Sequence, residues 1–277
     1  MAMITLKNKN MEITLSPLGA SIYRWRFYNE DMVVTLSDEQ EFNQTENYFG
    51  KTIGRLCGRI LKDGEVSLHG GQDGISTKKF SYQLECNRVA FSYLSKDGES
   101  GYPGNFKLEV IYTLVDDTLT LEFIASVDKP CLVSLTNHTF FCLGESKVQN
   151  LKLKMNSDKY IYYDSKLLPI KWKDVPDYWD FHKPREFNMD YEIDNSFSLK
   201  DGKIQLSSNK YCLDIETDFK MTQIYTDNFI NNVKTLLSKD NHYRGVAIEP
   251  QDDQLDRKEL LPGQTYQRKI IYRLRKL

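Results

Sequence analysis

The stretch NFKLEVIYTLVDDTLTLEFIASVD, residues 105–128, sets the reading of the whole chain. Phe106, Leu108, Val110, Tyr112 and Leu114 alternate with Lys107, Glu109, Ile111 and Thr113. After the polar pair Asp116-Asp117 the alternation resumes through Leu119, Leu121, Phe123, Ala125 and Val127. A β-strand points successive side chains to opposite faces, so a period of two on both sides of a polar turn predicts an antiparallel hairpin with one face against a core. MEITLSPLGASIYRWRF (11–27), KIQLSSNKYCLDIETD (203–218) and QRKIIYRLRKL (267–277) supply further short strands. Helical periodicity is scarce. DNFINNVKTLLSK (227–239) places Phe229, Val233, Leu236 and Leu237 on one helical face and predicts a helix. DYWDFHKPREF (177–187) reads as a long loop, a kind of segment that often carries function. No linker rich in Gly, Pro or Ser and no internal repeat divides the chain. The expectation is one all-β domain over residues 1–277, a large antiparallel β-sandwich with few short helices.

The bulk properties exclude several classes. A net charge of -2 with dispersed Lys and Arg argues against a protein that binds nucleic acid by neutralising phosphates. No apolar run approaches membrane-spanning length, and the N-terminal MAMITLKNKN has no apolar signal core. The five cysteines, Cys57, Cys86, Cys131, Cys142 and Cys212, have irregular spacings and no C-x-x-C pair, which predicts reduced thiols and a cytoplasmic protein. Phosphate-cradling loops, a strand-bound G-x-G-x-x-G, a nucleophile elbow and closely spaced metal-binding histidines are all missing from the sequence.

Four stretches carry candidate chemistry. NYFGKTIGRLCGRI (47–60) sets Arg55 and Arg59 among glycines, which allow the backbone to approach a ligand closely. Read alone, the two arginines are most simply explained as solvated or salt-bridged. SLHGG (67–71) presents His69 from a turn. LTNHTFF (135–141) holds His138 beside two phenylalanines, a setting that suits either a core histidine bonded to a carbonyl or a functional one. VAIEPQ (246–251) ends an apolar run on Glu249, where partial desolvation would raise the carboxyl toward a useful base. A metal site made of His69, His138 and a carboxylate has no local motif behind it.

Taken together and in order, the pieces resemble the aldose 1-epimerase (galactose mutarotase) family. YFGKTIGRLCGRI looks like its arginine motif, LHGG and LTNHTFF like its two histidine motifs, and DGESGYPGNFKLEVIYTLVDDTLTLEF like its glycine-proline hairpin. IDNSFSL resembles the aspartate motif, QIYTDNF the glutamine motif and IEPQ the glutamate motif. The resemblance implies a β-sandwich with a sugar cleft across one sheet, a small-molecule sugar substrate, and no cofactor or metal. It implies Glu249 as general base and His138 as general acid, His69 near the ring oxygen, and Arg59, Asp194 and Gln223 on sugar hydroxyls. An aromatic such as Phe140, Phe141 or Tyr225 would stack on the sugar's apolar face. Two departures stand out. Gly58 precedes Arg59 where the family commonly has Asn, so one hydroxyl contact is expected to be missing. The Arg59–His69 segment is short where the family usually has an additional hairpin, which implies a more open cleft or a different sugar fit.

The implied activity is interconversion of the α and β anomers of a free aldohexose, such as galactose or glucose, by a monomer or homodimer. The chemistry needs a base on O1 and an acid on the ring oxygen but no nucleophile, in keeping with the motifs found. Three rival readings follow from the same residues. One is a non-catalytic carbohydrate-binding β-sandwich. Another is a phosphosugar 1-epimerase, with Arg55 or Lys51 as the extra cation. The third is a glycosidase pairing Glu249 with Asp194.

Overall fold

The computed structural model describes residues 2–45, 47–62, 64–230, 233–240 and 242–277. The hairpin read from the sequence is its centre. Phe106–Val115 pairs with Thr118–Val127 from Phe106↔Val127 to Val115↔Thr118, leaving Asp116-Asp117 as the loop. Asp116 takes φ 49 there, a conformation that a short polar side chain tolerates. The inward residues Phe106, Val110, Tyr112, Leu119, Leu121 and Phe123 are fully buried.

The hairpin sits inside a nine-stranded antiparallel sheet. Tyr266–Lys276 flanks it on one side and Arg88–Ser95 on the other. A six-stranded sheet runs in the order Phe140–Phe141, Val246–Gln251, Met221–Tyr225, Asp194–Ser198, Lys159–Tyr163, Pro169–Asp174. A four-stranded sheet from Ile4–Lys7 to Glu30–Asp31 completes the main β-structure. The principal core runs in sequence from Ile4 to Leu274 and includes Trp25, Phe141 and Tyr272, which meet edge to face or tilted at 5.6–6.3 Å. These are favourable geometries for aromatic quadrupoles.

The six-stranded sheet explains where function can sit. All six residues of Val246–Gln251 are buried, so the strand has no solvent face. Its alternation persists nonetheless. Val246 and Ile248 enter the principal core, whereas Ala247 enters a smaller cluster with Phe140, Cys142 and Tyr225. Glu249 and Gln251 therefore face the same way as Ala247. Register carries this to the neighbouring strands, because Gln223 opposes Glu249 and Asp194 opposes Tyr225.

Three sequence expectations need correction. Residues 227–239 form no helix among the described residues. The carbonyls of Ile230 and Val233, which a helix would use internally, accept from the Arg244 guanidinium at 3.0 and 3.2 Å instead. Phe229, Leu236 and Leu237 of the supposed apolar face are exposed. The α-helix that does form among the described residues is Glu39–Gln44, where Asp38 caps Gln40 N–H at 2.8 Å and Glu39 and Glu41 sit in the favourable first turn. The loop 177–187 is structural: Phe181 and Phe187 belong to the core, and Trp179 packs edge-on against Tyr160 and Phe197. Arg55 is neither solvated nor in a cleft. It is buried and donates to Ser95 O, Lys96 O and Pro103 O at 3.0–3.1 Å and to Ser95 Oγ at 2.8 Å.

Truncating the hairpin's centre should be costly, because the surrounding sheets cannot collapse into the hole. Phe123→Ala is expected to lower the unfolding free energy by about 3–5 kcal/mol, read from the midpoint of urea denaturation at constant slope.

Candidate active site

One pocket opens on the Glu249 face of the six-stranded sheet. Glu249, His138, His69, Arg59, Asp194 and Gln223 all line it. Residues as far apart in sequence as Arg59 and Glu249 meet because each follows from a strand or a turn of fixed register.

Glu249 and His138 form the buried floor. His138 Nε2 lies 3.4 Å from Glu249 Oε1, and the two side chains are 7% and 2% exposed. The backbone of His138 is fixed on both sides: its N–H donates to Lys51 O, and its carbonyl accepts from Gly50 N–H, each at 2.9 Å. Its ring packs against Phe140 at 5.0 Å and Tyr48 at 5.7 Å. Two polar atoms of this pair, His138 Nδ1 and Glu249 Oε2, are buried without a hydrogen-bond partner among the described residues. Burial disfavours charge on both groups. It pushes the His138 imidazole down to about 4. It holds the Glu249 carboxyl well above its usual range, with the Asp194 charge adding to the rise and Arg59 opposing it. The close contact between the two works in the other direction, favouring a protonated imidazole against an ionised carboxylate.

His69 follows the hairpin made by Arg59–Lys62 and Glu65–Leu68, whose base pairs Arg59 with Leu68. The short Arg59–His69 segment is thus itself a two-stranded hairpin. His69 takes φ 55, and Gly70 follows at φ 88, where a Cβ would lie 2.2 Å from Gly54 O. The left-handed turn therefore requires glycine and swings the imidazole inward. His69 Nδ1 accepts from Gly58 N–H at 3.2 Å. In the neutral ring the proton must then sit on Nε2, making His69 a donor. Burial, followed by His138 and Arg59, holds its imidazole well below the ordinary value.

Arg59, Asp194 and Gln223 form the polar wall. Arg59 Nη1 stands 3.9 Å from Asp194 Oδ2, and both are partly exposed. Gln223 donates to Asp194 Oδ1 at 2.7 Å and accepts from Ser196 Oγ at 2.5 Å. Burial raises the Asp194 carboxyl, while Arg59 and the Gln223 amide pull it back. On the far side Tyr225 and Phe229 stack at 6.3 Å with an interplanar angle of 21°. Phe140 and Phe141 are both buried in packing clusters, so of the three aromatics considered for stacking, Tyr225 lines the pocket.

His69, His138 and Glu249 can each bring one donor atom within 4.8 Å of the others. As a metal site this set is poor. Nδ1 of His69 is occupied by Gly58 N–H and Nε2 carries the proton, which leaves two ligands where a zinc site needs at least three.

The sequence reading missed Tyr163, Gln251 and Gln254, which also line the pocket. Gln251 and Gln254 follow Glu249 closely, and the same-face rule would have found Gln251. Tyr163 lies in a strand with no motif around it.

A family model described as aldose 1-epimerase matches residues 2–273. The galactose mutarotase of Rattus norvegicus is 30% identical over 263 residues, covering 80% of this chain and 75% of its own. The aldose 1-epimerase of Escherichia coli (strain K12) is 28% identical over 293 residues, covering 89% and 85%. Among solved structures, a GalM/aldose epimerase homologue from C. elegans superposes with a TM-score of 0.90 at 26% identity, covering 100% of this chain and 99% of its own. A galactose 1-epimerase from Lactobacillus acidophilus NCFM gives 0.88 at 25% identity, covering 99% and 94%. Fold and pocket together define a sugar isomerase of the galactose-mutarotase-like β-sandwich class. The chain belongs to the aldose 1-epimerase family, and it interconverts the α and β anomers of an aldose.

The burial pattern orders the histidine titrations. His182, exposed and 2.7 Å from Asp180, is raised. In an NMR titration its ring should protonate above 6.5, His138 near 4 and His69 well below 6.5, with neutral His69 in the Nε2–H tautomer.

Proposed function

We propose that Glu249 and His138 are the acid–base pair of this isomerase, and that a free aldohexose such as galactose or glucose binds between them and the Arg59–Asp194–Gln223 wall. The observation that carries the reading is the buried 3.4 Å contact between Glu249 and His138, with Oε2 and Nδ1 left without a hydrogen-bond partner among the described residues. Buried polar atoms left without partners cost stability, and a reacting sugar gives them work that packing does not.

The pair holds one proton in total. In its reactive form the proton is on His138 and Glu249 is ionised. The Glu249 carboxylate takes the O1 proton, the C1–O5 bond breaks as C1=O1 forms, and His138 delivers its proton to O5. Glu249 then holds the proton and His138 is neutral. Rotation about C1–C2 presents the other carbonyl face, and the same transfers run backwards. Proton number is conserved over the cycle, so the two groups behave as one titrating unit. His69 offers Nε2–H to a sugar oxygen near the ring. Arg59 and Asp194 suit charge-assisted bonds to hydroxyls, and Gln223 orders Asp194. The names of the relatives, galactose mutarotases and aldose 1-epimerases, support a hexose with both glucose and galactose as candidates.

The rival readings fare worse. A purely binding protein gains nothing from a desolvated carboxylate against an imidazole. A phosphosugar enzyme would need a cation beyond Arg59 at the mouth, but Arg55 is tied to backbone carbonyls and Lys51 is buried with Nζ donating to Thr45 O at 2.9 Å. A glycosidase would leave both histidines without a task. We read residues 1–277 as one domain, supported by a core that runs from Ile4 to Leu274. No helix among the described residues is long and apolar enough to cross a membrane. The five free cysteines support a cytoplasmic setting.

Polarimetry of freshly dissolved α-D-glucose and α-D-galactose tests the reading. Wild type should speed relaxation to an unchanged final rotation. Glu249→Gln and His138→Gln should each cost about 10²–10⁴-fold in kcat; wild-type rates in either would overturn the assignment. The pH profile gives a separate check. Activity should fall as the pair takes up a second proton near the His138 value of about 4, and again as it loses its single proton at high pH. Asp194 raises the Glu249 carboxyl, so Asp194→Asn should move the alkaline limb to lower pH.

A further inference from the structure

We propose that Gln254 is a hydroxyl-recognition residue of the sugar pocket, kept available by a one-way hydrogen-bond chain through Tyr163, Ser196 and Gln223. This rests on the Glu249–His138 reading of the pocket.

Gln254 is 7% exposed and lines the pocket beside Gly58. It follows the Glu249 strand on a segment that Asp252 fixes, by accepting from Tyr266 OH at 2.6 Å and Arg268 Nε at 2.9 Å. A side-chain amide offers two N–H donors and a carbonyl with two lone pairs. Gln254 employs them poorly. Its Nε2 reaches Ser196 Oγ at 3.2 Å and Gln251 Oε1 at 3.5 Å, and its Oε1 lies 3.4 Å from Tyr163 OH. The last two distances exceed the normal range for hydrogen bonds.

Proton counting settles which of them is made. Tyr163 has one hydroxyl proton, and its shortest acceptor is Ser196 Oγ at 2.9 Å. Ser196 in turn gives its proton to Gln223 Oε1 at 2.5 Å, and Gln223 donates to Asp194 Oδ1 at 2.7 Å. The chain runs Tyr163 to Ser196 to Gln223 to Asp194, and the single hydroxyl protons of Tyr163 and Ser196 are both used within it. Nothing is left for Gln254 Oε1, which has no other donor among the described residues. Gln223, expected to bind hydroxyls, has its amide held at both ends. Gln254 has the free capacity: a carbonyl oxygen and one N–H, the complement of a hydroxyl that both donates and accepts.

Gly58 makes room for this amide. It has φ +73, and a Cβ there would lie 2.8 Å from Gln254 Nε2 and 3.1 Å from Cδ. Any larger residue at 58 would push the amide from its place. The contact expected to be missing at Gly58 is thus replaced, at the same spot, by a side chain from the other end of the sequence.

The test is polarimetric KM and kcat for glucose, galactose and their 2-, 3-, 4- and 6-deoxy analogues, with wild type, Gln254→Met, Gln254→Glu and Glu249→Gln. Gln254→Met keeps the volume and removes the hydrogen bonds. It should raise KM for the parent sugars about 5- to 50-fold with kcat within about threefold, at unchanged Tm. For one deoxy analogue, the sugar lacking the recognised hydroxyl, wild type and Gln254→Met should have equal KM. Gln254→Glu, which keeps an acceptor, should restore part of the loss. Wild-type KM on every parent sugar, or an equal loss on every analogue, overturns the proposal. Glu249→Gln separates the two readings, since wild-type kcat in that variant would refute the acid–base pair whatever Gln254 does.

Discussion

The Val246–Gln251 strand of the six-stranded sheet is buried on both faces, and that constraint organises the protein. A strand with one wet face would leave Glu249 hydrated and ordinary. Here Val246 and Ile248 are held by the principal core, and the sheet's period of two then forces Glu249 and Gln251 into the opposite, enclosed layer. The partner strands inherit the same parity through antiparallel register, which brings Gln223 opposite Glu249. A slip of one residue would exchange Glu249 with Ile248, placing a carboxylate in the core and an isoleucine in the pocket. The apolar side of the sheet thus defends the polar side's register.

Enclosure also sets the electrostatics. Neither member of the floor pair is comfortable charged, and each is the other's nearest compensation. Burial makes the carboxyl more basic and the imidazole more acidic, so in the empty pocket it favours the neutral form of the pair, with the proton on Glu249, where water would favour the ionised one. Around the pair, polarity is graded. The His69 tautomer is fixed by a backbone N–H, and Asp194 is ordered by an amide and faced by a guanidinium.

How much of this was legible in the sequence depended on whether the signal was local. The 105–128 hairpin was fully legible, because strict alternation around Asp116-Asp117 admits one register. The six motif residues were legible as a set through their order along the chain, and they line one pocket. The failures were tertiary. The apolar spacing of 227–239 is helical on paper, but Arg244 reaches across and takes the carbonyls a helix would need. Arg55 read as a solvated, salt-bridged or cleft residue because nothing local reveals that Ser95, Lys96 and Pro103 turn their carbonyls toward it. Gln254 and Tyr163 carried no motif. Their relevance depends on a proton count through Ser196, which only coordinates reveal.

The Arg244–Asp227 pair has one further consequence. Both side chains are fully buried, Nε to Oδ2 is 2.7 Å, and the same guanidinium grips the carbonyls of Ile230 and Val233. At the pocket's rim, Ile230 gives the anchor its carbonyl, whereas the Phe229 ring stands exposed and stacks on Tyr225. Anchor and rim therefore answer to different pressures. Loss of either anchor partner strands a charge in the interior, whereas the exposed Phe229 side chain can be exchanged with little effect on the fold. The architecture separates a part that cannot drift from a part that can, and the rim is where descendants of this sequence have latitude to explore new sugars.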